Sequence, residues 1–312
     1  QIRRRTLTVP ADQHKISVVI PTMGRETLAL CQAALAKQTR PPDEVLVIVD
    51  RDRRGAAWAR NEGIGRATGD LIALADDDGI PPPDWLERLV AALDRHTAVV
   101  AGGTFQAIDP LLDDIGRRHS LPTVEQLDPG GLVGNTGNIL FRRDCLMRCE
   151  REDGYVFNPL FTGAGEDWEL IWRLRKRGAR MVWVPNPVTH LRRATGLQHL
   201  RHAFHRGAAI AMLFRVMRAD PSGIVPQDSL LWGEGGKKSK PRWLKALWVK
   251  ALGPFEWHQF RRKRHFWLFW LGEKCQAAGF FWEMYRGRPA TPDESSSNSV
   301  KPANVSKVGR KL

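Results

Sequence analysis

Between residues 16 and 101 the chain alternates short, unbroken apolar runs with longer amphipathic stretches. The runs, residues 16–20, 45–49, 71–75 and 98–101, are too short for buried helices and lack the polar alternation of a strand with one wet face. Such runs predict strands covered on both faces, which is the condition of a parallel sheet. Residues 25–38, 56–67 and 84–96 predict the covering helices, the last opening on Asp84 as N-cap behind three prolines. Farther on, 138–141 and 181–184 predict strands, and 166–177 a helix closed by Gly178. The expected fold is α/β and Rossmann-like, a mostly parallel sheet flanked by helices.

In such a sheet, ligands collect at the carboxyl ends of the strands. Asp76, Asp77 and Asp78 stand at the end of the 71–75 run. A capping turn needs one carboxylate, whereas three adjacent ones repel and call for a cation; hard oxygen ligands suit Mg2+ or Mn2+. A second cluster sets two acids, Glu166 and Asp167, in the first turn of the 166–177 helix, behind Gly163 and Gly165. Acids there complement the helix dipole. The glycines also let the backbone approach a ligand and aim a carboxylate into a cleft, where it can act as a general base.

These clusters, with Ile20-Pro21-Thr22 and Ala59-Arg60-Asn61-Glu62-Gly63, resemble the family 2 glycosyltransferases over about residues 15–215. The resemblance implies a GT-A fold, a nucleotide-diphosphate sugar as donor, an acceptor hydroxyl, Mg2+ or Mn2+, and inversion at the anomeric carbon. It puts Pro21 and Thr22 beside the nucleotide, Arg60 at a nucleotide-contacting position and Asp76 on the ribose. Asp78 matches the metal ligand, with Asp76 a further candidate ligand and Asp77 between them in the donor-binding turn. Asp167 matches the catalytic base, with Glu166 next in line. Residues 134–138, ending on Asn138, look like the loop bordering donor and acceptor. His190 looks like the histidine that some GT-A enzymes add to the metal or diphosphate. Relatives carry two acids after the second strand, one of which reads the base, and here both Asp50 and Asp52 are open to that role. Gln198 and Arg201 are followed by His202 rather than the Trp of processive synthases, so transfer of a single sugar is expected.

With 48 basic against 34 acidic side chains, the net charge of +14 calls for anionic company. Nucleic acid is not the expected partner, since no binding module is recognisable and the strand-end acids would repel phosphates. A sugar nucleotidyltransferase would carry a Gly-rich loop with Arg and Lys after the first strand, where Pro21-Thr22-Met23-Gly24-Arg25 has one glycine. Gly63, Gly65 and Gly69 miss the spacing of a dinucleotide loop, and His199, His202 and His205 read as a polar helix face.

The chain divides into an N-terminal extension (1–14), the GT-A domain (15–219), a Pro-, Gly- and Lys-rich linker (220–241), a basic aromatic helical extension (242–286) and a tail expected to be disordered (287–312). Half of the 12 tryptophans fall between Trp243 and Trp282, interleaved with Lys245, Lys250 and the run Arg261-Arg262-Lys263-Arg264. That is the composition of a segment lying on an anionic membrane surface; the competing reading is a helical layer packed on the domain. No window reaches the roughly 18 apolar residues of a spanning helix. Residues 266–272 come nearest and are bounded by Arg264, Glu273 and Lys274. Residues 1–9 lack an apolar signal core, the absent initiator Met reads as a trimmed start, and the four cysteines have neither zinc nor disulfide spacing. The expected setting is the cytoplasm, peripheral on the inner face of the membrane.

Overall fold

The computed structural model describes residues 14–103, 105–109, 124–127, 136–193, 195–219 and 266–287. Along these the chain runs β1 (Ile16–Thr22), α1 (Thr27–Leu35), β2 (Glu44–Val49), α2 (Ala56–Arg66), β3 (Leu71–Ala75), β4 (Gly79–Ile80), α3 (Trp85–Arg95), β5 (Val100–Gly102), β6 (Phe105–Ala107), β7 (Gln126–Leu127) and β8 (Asn138–Arg142). There follow α4 (Arg143–Asp153), α5 (Glu166–Lys176), β9 (Met181–Trp183), β10 (Val188–His190), α6 (Gly196–Ala219) and α7 (Phe266–Arg286).

Seven strands form one sheet in the order β2-β1-β3-β8-β5-β9-β7. β1 lies parallel to β2 and β3, and β5 parallel to β9, while β8 runs against β3 and β5, and β7 against β9. So β2, β1, β3, β5 and β9 share one direction, giving a mostly parallel sheet, and β8 is inserted the other way round. Its core is as continuous and buried as that of β3, and burial on both faces carries no information about direction.

Alternate strand residues feed two layers. Ile16, Val18 and Ile20 of β1 cluster with Trp85, Leu86, Leu89 and Leu93 of α3. Val19, Ile72 and Leu74 cluster on the other side with Ile64 of α2, Leu146 of α4, and Leu170 and Leu174 of α5. Each such side chain, once buried, contributes on the order of 1.5–3 kcal/mol relative to exposure. The helices that carry site residues are thereby fastened to the sheet.

Asp84 takes the N-cap position of α3 but makes no side-chain cap. Buried Gln38 supplies the bond instead, its Oε1 accepting from Leu86 N at 3.1 Å while its Nε2 donates to Pro82 O at 2.7 Å. Gly178 follows α5 at φ 74°, as its position predicted.

A small sheet joins β10 antiparallel to β4 and parallel to β6. Because β4 starts directly after Asp78, the pairing of His190 with Gly79 delivers the imidazole to the aspartate turn. Residues 1–13, the linker 220–241, residues 242–265 with the Arg261 to Arg264 run, and the tail from 288 lie outside the described residues. Of the Trp-rich extension, α7 is described, and no helix among the described residues is long and apolar enough to cross a membrane.

Candidate active site

β1, β2 and β3 run in register, so their carboxyl ends bring Thr22, Asp50 and the three aspartates to one edge. Thr22 is buried and donates its hydroxyl to Asp77 Oδ2 at 2.6 Å, while Gly24 N donates to Thr22 Oγ1 at 2.9 Å. Pro21, partly buried, leads into this turn. Arg25 Nη1 then donates to both Asp77 and Asp78, at 3.1 and 2.9 Å. Across the turn His190 Nε2 lies 3.3 Å from Asp78 Oδ1, its ring stacked on Phe105 with centroids 4.9 Å apart. Burial pushes the Asp78 carboxyl up, but His190, Arg25 and Arg192 outweigh it and hold the group below the usual carboxylate range.

Arg60 ties the second cluster to the first. Buried on α2, it donates Nη1 to Glu166 Oε1 at 2.8 Å and Nη2 to Asp76 Oδ1 at 3.1 Å. The Phe157 ring lies 5.7 Å from its guanidinium. Asn61 fixes that phenylalanine by bonding both its backbone N–H and its carbonyl, each at 2.8 Å. A guanidinium is tolerated here because acids surround it. Burial works against its charge, yet Asp76, Glu166 and Asp167 raise its pKa.

The carboxyls around Arg60 do not share its benefit equally. Burial, aided by the charge of Asp78, raises Asp76 against the pull of Arg60 and His190. Asp167, partly exposed in the first turn of α5, is pushed up to about 7 by burial and by the neighbouring Glu166, against the pull of Arg60. Its Oδ1 accepts from Trp168 N at 2.9 Å. A carboxyl that ionises near neutrality is matched to general-base work at physiological pH.

The remaining expected residues fall differently. Asp50 commits its carboxylate to the loop, accepting from Arg54 N at 2.9 Å and Gly55 N at 2.7 Å, which sets the start of α2 and hence Arg60. Asp52 is exposed on the same loop. Asn138 is fully buried, its Oδ1 accepting from Trp85 Nε1 at 2.7 Å and its Nδ2 donating to Asn186 O at 2.8 Å. It stands behind the site, bracing β8 against α3 and the approach to β10. Beside it only a glycine fits at 137, where a Cβ would lie 2.6 Å from Asp76 Oδ2.

Arg25 and Arg192 escaped the sequence reading. Arg25 had a signal, its place in the loop of Pro21 and Thr22, but a half-exposed arginine reads as solvated surface. Among the described residues no three His, Cys, Asp or Glu side chains converge as a preformed ion site. Asp78 and His190, with Asp76 in the same turn, still offer oxygen and imidazole donors that suit Mn2+ or Mg2+, ions that fill their other positions with water and substrate phosphate.

Residues 48–149 match Glycosyl transferase family 2. The span runs from the end of β2 through α4 and contains Arg60 and the three aspartates. That stretch carries the signature of a family 2 glycosyltransferase domain. Similar proteins include the Glucosyl-dolichyl phosphate glucuronosyltransferase of Haloferax volcanii, 38% identical over 63 residues. The Pre-mycofactocin glycosyltransferase of Mycobacterium tuberculosis is 28% identical over 181 residues, 52% of this chain. The alignments cover 20% and 36% of those relatives' own lengths. The solved mannosyltransferase PcManGT of Pyrobaculum calidifontis, in complex with GDP-Man and Mn2+, aligns over 91% of this chain and 79% of its own, with a TM-score of 0.52 and 15% identity. At that identity the likeness shows the fold alone, which is GT-A with a helical C-terminal region formed by α6 and α7. In the family 2 domain, the turn after β3 falls within the matched residues, and Glu166 and Asp167 lie beyond them.

Proposed function

We propose that this family 2 glycosyltransferase is an inverting, metal-dependent enzyme that moves one sugar from a nucleotide-diphosphate sugar to an acceptor hydroxyl. The observation that carries the reading is the Arg60 bridge. One buried guanidinium joins Asp76, in the donor-side turn, to Glu166, next to an Asp167 that ionises at about 7. Both halves of a displacement reaction therefore sit on one rigid link. The ligands of the Pyrobaculum enzyme, GDP-Man and Mn2+, are of the class this site would take.

In this reading Thr22 and Asp77 shape the floor beside the nucleotide, and Asp76 meets the ribose. Arg25 and Arg192 bring positive charge toward the diphosphate. Asp78, Asp76 and His190 would hold the divalent cation, which when bound offsets the charge that grows on the departing diphosphate. Asp167 takes the proton of the acceptor hydroxyl as that oxygen bonds to the anomeric carbon. On the opposite face the bond to the diphosphate oxygen breaks, and the diphosphate leaves with the electron pair. A single displacement inverts the centre. Glu166 contributes by keeping the proton affinity of Asp167 high enough for a base. The same reading puts the enzyme in the cytoplasm, peripheral on an anionic membrane surface through residues 242–286.

The test is a panel of nucleotide sugars scored by thermal shift with and without Mn2+, followed by NMR of the product anomer. One donor is expected to stabilise the protein only with metal and to yield the inverted linkage. A folded protein that no donor stabilises, or a retained linkage, contradicts the proposal.

A further inference from the structure

α7 has two unlike faces. One lies against α6 so closely that a Cβ on Gly279 would fall on the Phe204 carbonyl oxygen, and a Cβ on Gly207 on that of Gln276. At 3.6 residues per turn, the opposite face carries Leu271, Ala278, Phe281, Trp282 and Tyr285, with Lys274 among them. That face is exposed, with Phe281 at 43%, Trp282 at 50% and Tyr285 at 87%. A surface helix ordinarily turns polar residues outward, and a contiguous apolar face marks an interaction site.

Three observations select the occupant. The exposed aromatics include Trp and Tyr, whose apolar bodies and polar tips suit the boundary between hydrocarbon and water. Described cations flank them, with Arg286 5.9 Å over the Trp282 ring and Lys274 5.6 Å over that of Trp270, in a chain of net charge +14. Finally, the helix pair adjoins the reacting end of α5. Trp168, the residue after Asp167, packs on the cluster of Ile210, Ala211, Ala277 and Phe280, and Gly165 abuts Ala209.

We propose that the outward face of α7 docks on an anionic bilayer and so holds the base-bearing end of α5, which packs on the inward face, one helix layer (about 10 Å) from the lipid headgroups. This rests on the catalytic reading of Asp167 and names the surface behind its membrane setting. Charge brings the protein to the surface and falls with salt, while aromatic insertion persists at high ionic strength.

The full chain is tested by flotation with phosphatidylcholine vesicles, with and without phosphatidylglycerol, beside the variant Phe281→Ser/Trp282→Ser/Tyr285→Ser. The wild type is expected to float with the anionic vesicles and to stay partly bound at high salt. The variant should keep the wild-type melting temperature, because these side chains are exposed, and lose the salt-resistant binding by about tenfold or more. Three results overturn the proposal: wild-type binding by the variant, a lowered melting temperature showing that protein covers the face, or a dimer in the wild type that the variant dissolves. Donor-induced stabilisation is read on the same samples. A wild type that floats yet ignores every donor sinks the catalytic reading and leaves the docking face standing.

Discussion

The turn after β3 and the first turn of α5 are both crowded with carboxylates, and they relieve the crowding in opposite ways. In the β3 turn, Asp77 and Asp78 each meet the Arg25 guanidinium, Asp78 also meets His190, and its carboxyl is held below the ordinary range. At α5, one guanidinium is shared among Asp76, Glu166 and Asp167, and burial with the Glu166 charge lifts Asp167 to about 7. A helix N-terminus favours an anion by about 0.3–1 kcal/mol, which is small beside the cost of ionising a partly buried carboxyl next to another. The same residue type is thus kept charged in one place and left able to take a proton in the other. That is the division of labour a metal ligand and a general base require.

Removing the base should produce the largest effect. Asp167→Asn is expected to fold and bind donor with unchanged KM while turnover falls by a factor on the order of 10² to 10⁴. Near-normal turnover in steady-state kinetics would shift the base to Glu166. Next comes Arg60→Met, which leaves Asp76 and Glu166 facing each other without their cation. Loss of one partner of a buried ion pair costs about 3–5 kcal/mol, so urea melts should show a large drop in stability. An unchanged midpoint would mean the bridge is ornamental.

Asp78→Asn should act on the other half of the comparison. Titration calorimetry with the preferred donor is expected to show affinity in Mn2+ reduced to its metal-free level, by roughly tenfold or more, with no change of comparable size in stability. Equal affinity with and without the substitution would remove Asp78 from the metal site. A further effect concerns stability and pH. Asp167 binds its proton more tightly folded, at about 7, than at its ordinary 3.8, so its contribution is full at low pH and is lost as pH rises through that window. Asp167→Asn should therefore melt above the wild type at pH 8 and level with it near pH 4. A constant gap at both pH values would argue that Asp167 is not the group that titrates.

Much of this was legible beforehand, for physical reasons. Continuous apolar runs located β1, β3, β5 and β8, because strands buried on both faces leave that trace; β2 carries such a run too, yet it is the edge strand and exposes Val45 and Val49. Three consecutive aspartates marked the carboxyl edge of β3. The reverse direction of β8 left no trace, since a doubly buried strand looks alike both ways. Gln38 was unreadable as the cap of α3, as it reaches Leu86 from 48 positions away. Asp50 and Asn138 show the limit of matching motifs. Their partners could not be read from the sequence: Asp50 accepts from Arg54 and Gly55, and Asn138 pairs with Trp85 and Asn186. Only coordinates reveal which bonds a side chain already makes. The bridge through Arg60 depends likewise on packing, because Phe157 and Asn61 set it between two acids far apart in sequence.

The central claim is that Asp167 is a carboxyl poised near neutrality while Asp78 stays charged. The most direct measurement is kcat/KM against pH, which reports the ionisation of the free protein. The account predicts a rise with a single midpoint near 7 in the wild type, and a residual rate in Asp167→Asn that no longer follows that ionisation. A midpoint near 4, where an unperturbed carboxylate titrates, or a wild-type profile that is flat across neutrality, would contradict it.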